Sequence, residues 1–337
     1  MVKRIRFIFT SILVTVCTIA VMLLLLEIAF RYQWFDFYGV ELRALNSSID
    51  KSPKGKKVLV FGDSFSAANN GYVTMLSDSL AGVSVINSAV PGTSMREMSL
   101  IARKRIDKYA PDVLILQLYP GNDLTDISHP VNYDSVSILR NLYWQAVDNW
   151  CSLGWLNYKL AGVRQLIDNE QHFVVPQTSD TFSINNYSSR VKLLIKADNS
   201  FIVNSAFVAA GKYSTAFDKQ LNYIKSITAY YKSVKPDGRV VLLVVPHCSM
   251  VSPVYYHNYQ MMGAILNEDN NSASIYTSKL AAQLPDLLLL DATNALAYKE
   301  RAGGQTYYMN DEHLTTVGHK TVADTLVKVL LPILSAY

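Results

Sequence analysis

Ser64 stands in a Gly-Asp-Ser triplet directly after a short apolar run. A serine hydroxyl becomes an effective nucleophile when a base takes its proton, and His313 near the C-terminus is a suitable base. The imidazole in turn needs an acid that fixes its tautomer and stabilises its charged form, and Asp311 can reach back to it from two residues earlier. Together these residue types predict acyl transfer through an activated serine.

Such a reaction passes through a tetrahedral intermediate whose oxyanion requires preorganised hydrogen-bond donors. Three donors are available at comparable positions of the sequence: the backbone N–H groups of Ser64 and Gly92 and the side-chain amide of Asn122. We therefore predict that these three residues form an oxyanion hole.

These residues follow apolar runs that predict the strands of a sheet. The runs are Val58–Phe61, Val83–Ile86, Asp112–Leu118, Arg239–Val245 and Leu287–Leu290. They are continuous rather than alternating, which is typical of strands covered on both faces. Helical patterns at Met95–Tyr109, Phe217–Tyr231, Ser272–Leu284 and Thr316–Leu334 separate or follow them. The alternation predicts a three-layer α/β domain with a parallel sheet, and ligands of such sheets bind beyond the carboxyl ends of the strands.

In their order along the chain, these motifs resemble the SGNH/GDSL hydrolases from about Val58 to the C-terminus. The matching residues are Gly62-Asp63-Ser64, Gly92, Gly121-Asn122-Asp123 and the closing Asp311 and His313. The resemblance implies a flavodoxin-like α/β/α fold with a mostly parallel five-stranded sheet. It also implies Ser64 as the nucleophile, Gly92 and Asn122 in the oxyanion hole and His313 as the base.

The chain departs from this family at the catalytic acid. The commonest pattern places an aspartate three residues before the histidine, and this chain has Asn310 there. An asparagine would tend to hold the wrong histidine tautomer. An Asp-x-His spacing also occurs in the superfamily, including envelope-polysaccharide acetylation proteins, so we predict Asp311 as the acid.

The N-terminus predicts a membrane anchor. Phe7–Leu26 is a run of twenty residues without charge, which is long enough as a helix to cross a hydrocarbon core of about 30 Å. A cleaved signal peptide has a shorter apolar region. Lys3, Arg4 and Arg6 precede the run, which predicts a cytoplasmic N-terminus and an extracytoplasmic remainder on the inner, cytoplasmic membrane.

The predicted organisation has four parts. Residues 1–6 are a cytoplasmic tail, 7–29 a transmembrane signal anchor, 30–57 a stalk and 58–337 the hydrolase-like domain. An insertion at about 128–212 shows no strand–helix alternation and contains three tryptophans, Trp144, Trp150 and Trp155. This insertion either packs over the sheet and shapes a cleft or forms a satellite core. Cys151 and Cys248 would face an oxidising space, and the sequence leaves their pairing open.

Composition and motifs exclude several other classes of protein. The net charge is +4 and three positive charges lie in the N-terminal tail, so a nucleic-acid footprint is absent. Neither CxxC nor HExxH occurs, and we predict no metal and no cofactor. His319, after Gly318, is interpreted as a residue that opens the last helix, and the scattered histidines are interpreted as polar surface or core: His129, His172, His247 and His257.

The sequence therefore predicts a membrane-anchored serine esterase that cleaves acetyl esters on envelope glycans. An O-acetyltransferase would use the same acyl-enzyme with a sugar hydroxyl in place of water, and could work with a membrane acyl-transfer partner. A third alternative is a non-catalytic scaffold that keeps the fold.

Overall fold

The computed structural model describes residues 2–47, 55–128, 138–168, 181–187, 191–192, 195, 214–266 and 272–335. Their contacts divide the chain into two compact units. Residues 1–37 and 137–172 belong to the first unit, and residues 38–136 and 173–337 belong to the second.

The elements, in chain order, are those of an α/β protein. The strands are β1 Lys56–Phe61, β2 Val83–Asn87, β3 Val113–Leu118, β4 Arg239–Val244 and β5 Leu288–Asp291. The helices of the first half are α1 Val2–Arg31, α2 Gly39–Leu45, α3 Tyr72–Ser79, α4 Met95–Tyr109, α5 Asp123–Ser128, α6 Ile138–Asn149 and α7 Cys151–Asp168. Those of the second half are α8 Ser214–Val234, α9 Pro253–Met261, α10 Ser272–Gln283, α11 Thr293–Arg301 and α12 Thr316–Ser335.

The second unit is built on one parallel sheet of five strands in the order β2-β1-β3-β4-β5. This confirms the predicted sheet, and each predicted strand lies within two residues of the observed one. Every residue of β3 is buried, as a strand covered on both faces requires. The order changes direction between β1 and β3, which is where ligands bind in doubly wound sheets.

Helix α4 shows how the sequence sets one covering element. Its N-terminus carries a capping box, in which Ser94 and Glu97 satisfy each other's backbone donors. Four apolar side chains at helical spacing are buried: Met98, Ile101, Ala102 and Ile106. Arg105 is buried on the same helix and donates to the carbonyls of Ser88 and Tyr38. A guanidinium at a core position was not predicted.

Helix α2 lies within the range predicted as a stalk, and it belongs to the unit of the sheet. Just after it, the Asn46 side chain pairs with both main-chain groups of Asn87, at the end of β2. The Nδ2–O and N–Oδ1 distances are 2.7 and 2.8 Å. This part of the chain is therefore structured and fastened to the sheet.

The first unit contains α1, which is long and apolar enough to cross a membrane by length and composition. The Glu27 carboxylate lies near the end of α1 and accepts from the backbone N–H groups of Cys151 and Ser152, which begin α7. A carboxylate at a helix N-terminus satisfies orphan donors and complements the helix dipole. Trp155 donates to the Phe37 carbonyl and packs edge-on against the Phe37 ring.

The predicted insertion is thus divided between the two units. Helix α7, which lies within the predicted insertion, contacts α1 in the first unit. The satellite-core alternative fits Trp155, whose ring lies against Phe30 and Phe37. Much of 128–212, including His129 and His172, lies outside the described residues.

Candidate active site

The nucleophile loop, Gly62–Ser66, begins where β1 ends. A Cβ on Gly62 would stand 2.1 Å from the Ser66 hydroxyl and 2.5 Å from Gln117 Oε1, so the turn accepts only glycine there. Gln117 from β3 accepts from the Asp63 N–H at 3.1 Å and from the Ser66 hydroxyl at 2.9 Å. The loop is therefore fastened to the neighbouring strand by a buried polar side chain.

The structure brings Ser64, His313 and Asp311 into one hydrogen-bonded chain. Ser64 Oγ lies 2.8 Å from His313 Nε2, and His313 Nδ1 lies 2.8 Å from Asp311 Oδ1. The Asp311 side chain is 6% exposed and that of His313 is 34% exposed, so the acid is buried behind an accessible base. The Phe65 and His313 rings are stacked with their centroids 5.0 Å apart, and this contact orients the imidazole.

The charges around His313 favour its protonated form. Burial lowers the pKa of this histidine, but the Asp311 hydrogen bond and the charges of Asp311, Glu312 and Asp63 outweigh burial and raise it to about 9. The neutral imidazole is the form that can accept a proton from Ser64. The base is therefore increasingly available as the pH rises towards that value.

Two further carboxyl groups are buried beneath the site. Asp63 Oδ1 accepts from the Phe65 N–H, and Asp123 Oδ2 accepts from the Tyr119 N–H, so both carboxyl groups hold their own loops. Burial raises the pKa of Asp63 to about 7 and, together with the charge of Asp63, raises that of Asp123 well above its usual range. Burial therefore disfavours the charged form of both carboxyl groups.

The three predicted oxyanion donors follow β1, β2 and β3 in turn. The backbone N–H groups of Ser64 and Gly92 have no acceptor in the part of the chain that the structure describes. Gly92 adopts φ +68°, a left-handed conformation that favours glycine, and it is exposed. Asn122 is half-buried, and its Oδ1 is buried without a hydrogen-bond partner among the described residues.

Asn310, at the position of the more common acid, has a different role. It is 4% exposed, and its side chain accepts from the Ser183 N–H at 2.8 Å and donates to the Thr181 carbonyl at 3.0 Å. The amide therefore ties residues 181–183 of the insertion to the loop that carries Asp311 and His313.

Several residues that hold the site were not predicted. Gln117 is one polar residue within an otherwise apolar strand, which is the signal that could have identified it. Asn87 closes β2 and donates to the Ser66 carbonyl at 2.7 Å. His319 accepts from the Tyr72 N–H, and burial and the charge of His313 lower its pKa to about 4.

Other residues considered in the sequence take no part in the hydrogen-bonded chain Ser64–His313–Asp311. His247 is buried and bonded to Ser249, and His257 is on the surface, in line with their interpretation as core and polar surface. Cys151 and Cys248, whose pairing the sequence left open, are both free thiols. Within the described ranges, no group of three or more His, Cys, Asp or Glu side chains is arranged to hold a metal ion.

No protein-family model and no curated protein matches the sequence. Solved structures of similar fold include TesA, with 14% identity, a TM-score of 0.41 and alignment over 82% of this chain and 99% of that one. The acetyl xylan esterase AlAXEase aligns over 81% and 99% with 14% identity and a TM-score of 0.42. The acetylxylan esterase Axe2 from Geobacillus stearothermophilus aligns over 83% and 95% with 12% identity and a TM-score of 0.42.

Proposed function

We propose that the chain is a serine ester hydrolase that works through an acyl-Ser64 intermediate. The observation that carries this proposal is the hydrogen-bonded chain Ser64–His313–Asp311 at the carboxyl edge of the sheet. Nucleophile, base and acid stand at the distances that proton transfer from serine requires. The backbone N–H groups of Ser64 and Gly92, which have no acceptor among the described residues, form the oxyanion hole together with the Asn122 amide.

Each step assigns one task to each group. His313 Nε2 takes the proton of Ser64 Oγ while the oxygen attacks the acyl carbon, and the oxyanion is held by the three donors. His313 then gives that proton to the leaving alcohol oxygen, which leaves acyl-Ser64. A water molecule then attacks the acyl carbon while His313 Nε2 takes the water proton. His313 gives that proton to Ser64 Oγ as the carboxylic acid product is released. Asp311 keeps the Nδ1 proton in place and stabilises the imidazolium.

Labelling by a fluorophosphonate probe tests this assignment directly, with full-length protein in detergent. We expect the probe to label the wild type and to leave Ser64→Ala unlabelled. Ser79→Ala, an exposed serine on α3, is the matched control and should label like the wild type. Equal labelling of wild type and Ser64→Ala would contradict the proposal.

We further propose that α1 anchors the protein in the cytoplasmic membrane with the hydrolase unit outside, and that the substrates are acetyl esters of envelope glycans. The apolar helix with basic residues at its start supports the orientation. A C-terminal reporter that works only outside the cytoplasm should be active, and the mature chain should retain its first thirty residues. A chain cleaved near residue 30 would contradict the anchor.

The acceptor of the acyl group is decided by a product analysis. Water is the default acceptor of an acyl-enzyme that is open to solvent, so we expect free acetate when an acetyl ester is incubated with the protein and a sugar. Mass spectrometry distinguishes acetate from acetylated sugar. Faster accumulation of acetylated sugar would favour the transferase, and a protein that forms neither product would favour the scaffold.

A further inference from the structure

The histidine side of the site is where the alcohol part of an ester would lie. His313 Nε2 gives its proton to the leaving oxygen in the proposed mechanism, so that oxygen must approach the imidazole. Groups fixed to the loop of His313 are therefore next to the alcohol rather than the acyl group. Asn310, three residues before His313, fixes the backbone of Thr181 and Ser183 there through two hydrogen bonds.

A row of rings connects this segment to the nucleophile loop. The row is Phe65, Tyr119, His247, Tyr259, Tyr187 and Phe182, with successive centroids 4.3, 6.1, 4.6, 5.5 and 6.3 Å apart. The first five are buried, and Tyr187 and Tyr259 share a hydroxyl hydrogen bond of 2.5 Å. Phe182 is the outermost ring and is only half-buried. The row therefore supports one accessible aromatic surface from beneath.

The loop that carries Asn310 also carries a carboxylate. Glu312 lies between Asp311 and His313, is half-buried, and is 3.5 Å from the Tyr119 hydroxyl. An ionised carboxylate accepts hydrogen bonds and repels other anions. An aromatic ring held by the loop that carries such an acceptor suits a ligand with both an apolar face and several hydroxyl donors, which describes a sugar ring without its own negative charge.

We propose that Phe182, positioned by Asn310, binds the sugar ring of the alcohol part of the substrate, and that the preferred glycan is neutral. Phe182 is a binding residue and Asn310 a positioning residue, since its amide is bonded to the backbone of residues 181 and 183. This inference rests on the proposed esterase for the place of the alcohol, but sugar binding can be measured without catalysis.

Calorimetric titration of full-length Ser64→Ala protein in detergent tests the inference. The probes are three neutral tetrasaccharides, cellotetraose, xylotetraose and maltotetraose, with tetragalacturonate as the anionic counterpart. We expect at least one neutral probe to bind, and tetragalacturonate to bind about tenfold more weakly than that probe because of Glu312. Adding Phe182→Ala should raise Kd about tenfold, whereas Phe182→Tyr should retain the affinity.

The control is Tyr298→Ala, which removes an aromatic ring that is 70% exposed on α11, and it should bind like the parent. In the same Ser64→Ala background, Asn310→Ala should raise Kd as Phe182→Ala does. In the protein that retains Ser64, with acetylated cellotetraose as the substrate, Asn310→Ala should raise KM more than it lowers kcat. The inference is overturned if no neutral probe binds, if Phe182→Ala leaves Kd unchanged, or if tetragalacturonate binds as tightly. Binding without any ester cleavage by the wild type would count against the esterase alone.

Discussion

Two asparagines hold the two sides of the site, and both do so by pairing their amide with backbone groups. Asn46 pairs with the main chain of Asn87, whose own side chain donates to the Ser66 carbonyl in the nucleophile loop. Asn310 pairs with the main chain of Ser183 and Thr181, next to the triad acid. The nucleophile side is thereby tied to the sheet, and the histidine side is tied to the insertion.

This difference assigns the reaction to the nucleophile side and the choice of substrate to the histidine side. The partners of the nucleophile loop are buried and come from β3, α3 and the end of β2, so its geometry is a property of the fold. The partner of Asn310 is a short segment with an exposed Ile184 and a half-buried Phe182. A protein can change such a segment without disturbing the sheet, which makes it the suitable place for substrate choice.

Removing either reactive group should give the largest effect, because the two sides act as one unit. We expect Ser64→Ala and His313→Ala each to lower kcat for 4-nitrophenyl acetate on the order of 10³-fold or more. The double variant should be no worse than the single ones, and steady-state kinetics measure all three. Additive losses would mean that the two residues do not share one step.

Removal of the catalytic acid, Asp311, should cause the next largest loss of kcat. Asp311→Ala removes the group that orients His313 Nδ1 at 2.8 Å, and we expect kcat to fall by about 10²–10³-fold. Asn310→Ala should cost less with the same small ester, because its amide bonds to backbone groups of residues 181 and 183. A larger loss for Asn310→Ala than for Asp311→Ala would show that the acid has been misassigned.

Loss of the Asn122 side-chain donor, on the nucleophile side, is expected to lower kcat by about 10²-fold. Asn122→Ala removes a side-chain donor that we place at the developing negative charge, which should lower kcat with little change in KM. Thermal unfolding of the same variant checks that the fold is retained. A loss confined to KM would remove Asn122 from the oxyanion hole.

The sheet and its chemistry could be predicted from the sequence because both are local signals. The runs that became β1 and β3 are continuous and apolar, and Ser64 and Asn122 follow them within a few residues. The pairing of Asn310 with Ser183 could not be predicted, since it joins residues 127 apart through backbone groups that any residue carries. The docking of α7 on Glu27 was missed for the same reason.

The nucleophile side should depend on Asn46 for stability. Asn46→Ala breaks two hydrogen bonds to the Asn87 backbone, and we expect the free energy of unfolding to fall by about 1–3 kcal/mol. The melting temperature should fall by several degrees. Asn69→Ala, at an exposed position beside the nucleophile loop, is the control and should melt like the wild type. If Asn310→Ala destabilised the protein more than Asn46→Ala, the contrast between the two sides would be reversed.

The smallest expected effect is a shift in the pH profile that originates on the histidine side. The pKa of His313 is raised to about 9, and only the neutral imidazole accepts the Ser64 proton, so kcat/KM for 4-nitrophenyl acetate should rise with pH up to that value. Glu312 contributes to the raised pKa through its negative charge. Glu312→Gln should therefore lower the pKa and move the rising limb to lower pH, by less than about one unit. At pH values below the pKa of His313, kcat/KM of the variant should be several-fold higher than that of the wild type, and at higher pH the two should be equal.

Glu300→Gln on α11 serves as the control, because Glu300 is not among the charges that raise this pKa. A limb that stays in place in Glu312→Gln would leave Asp311 and Asp63 as the charges that set the basicity of His313.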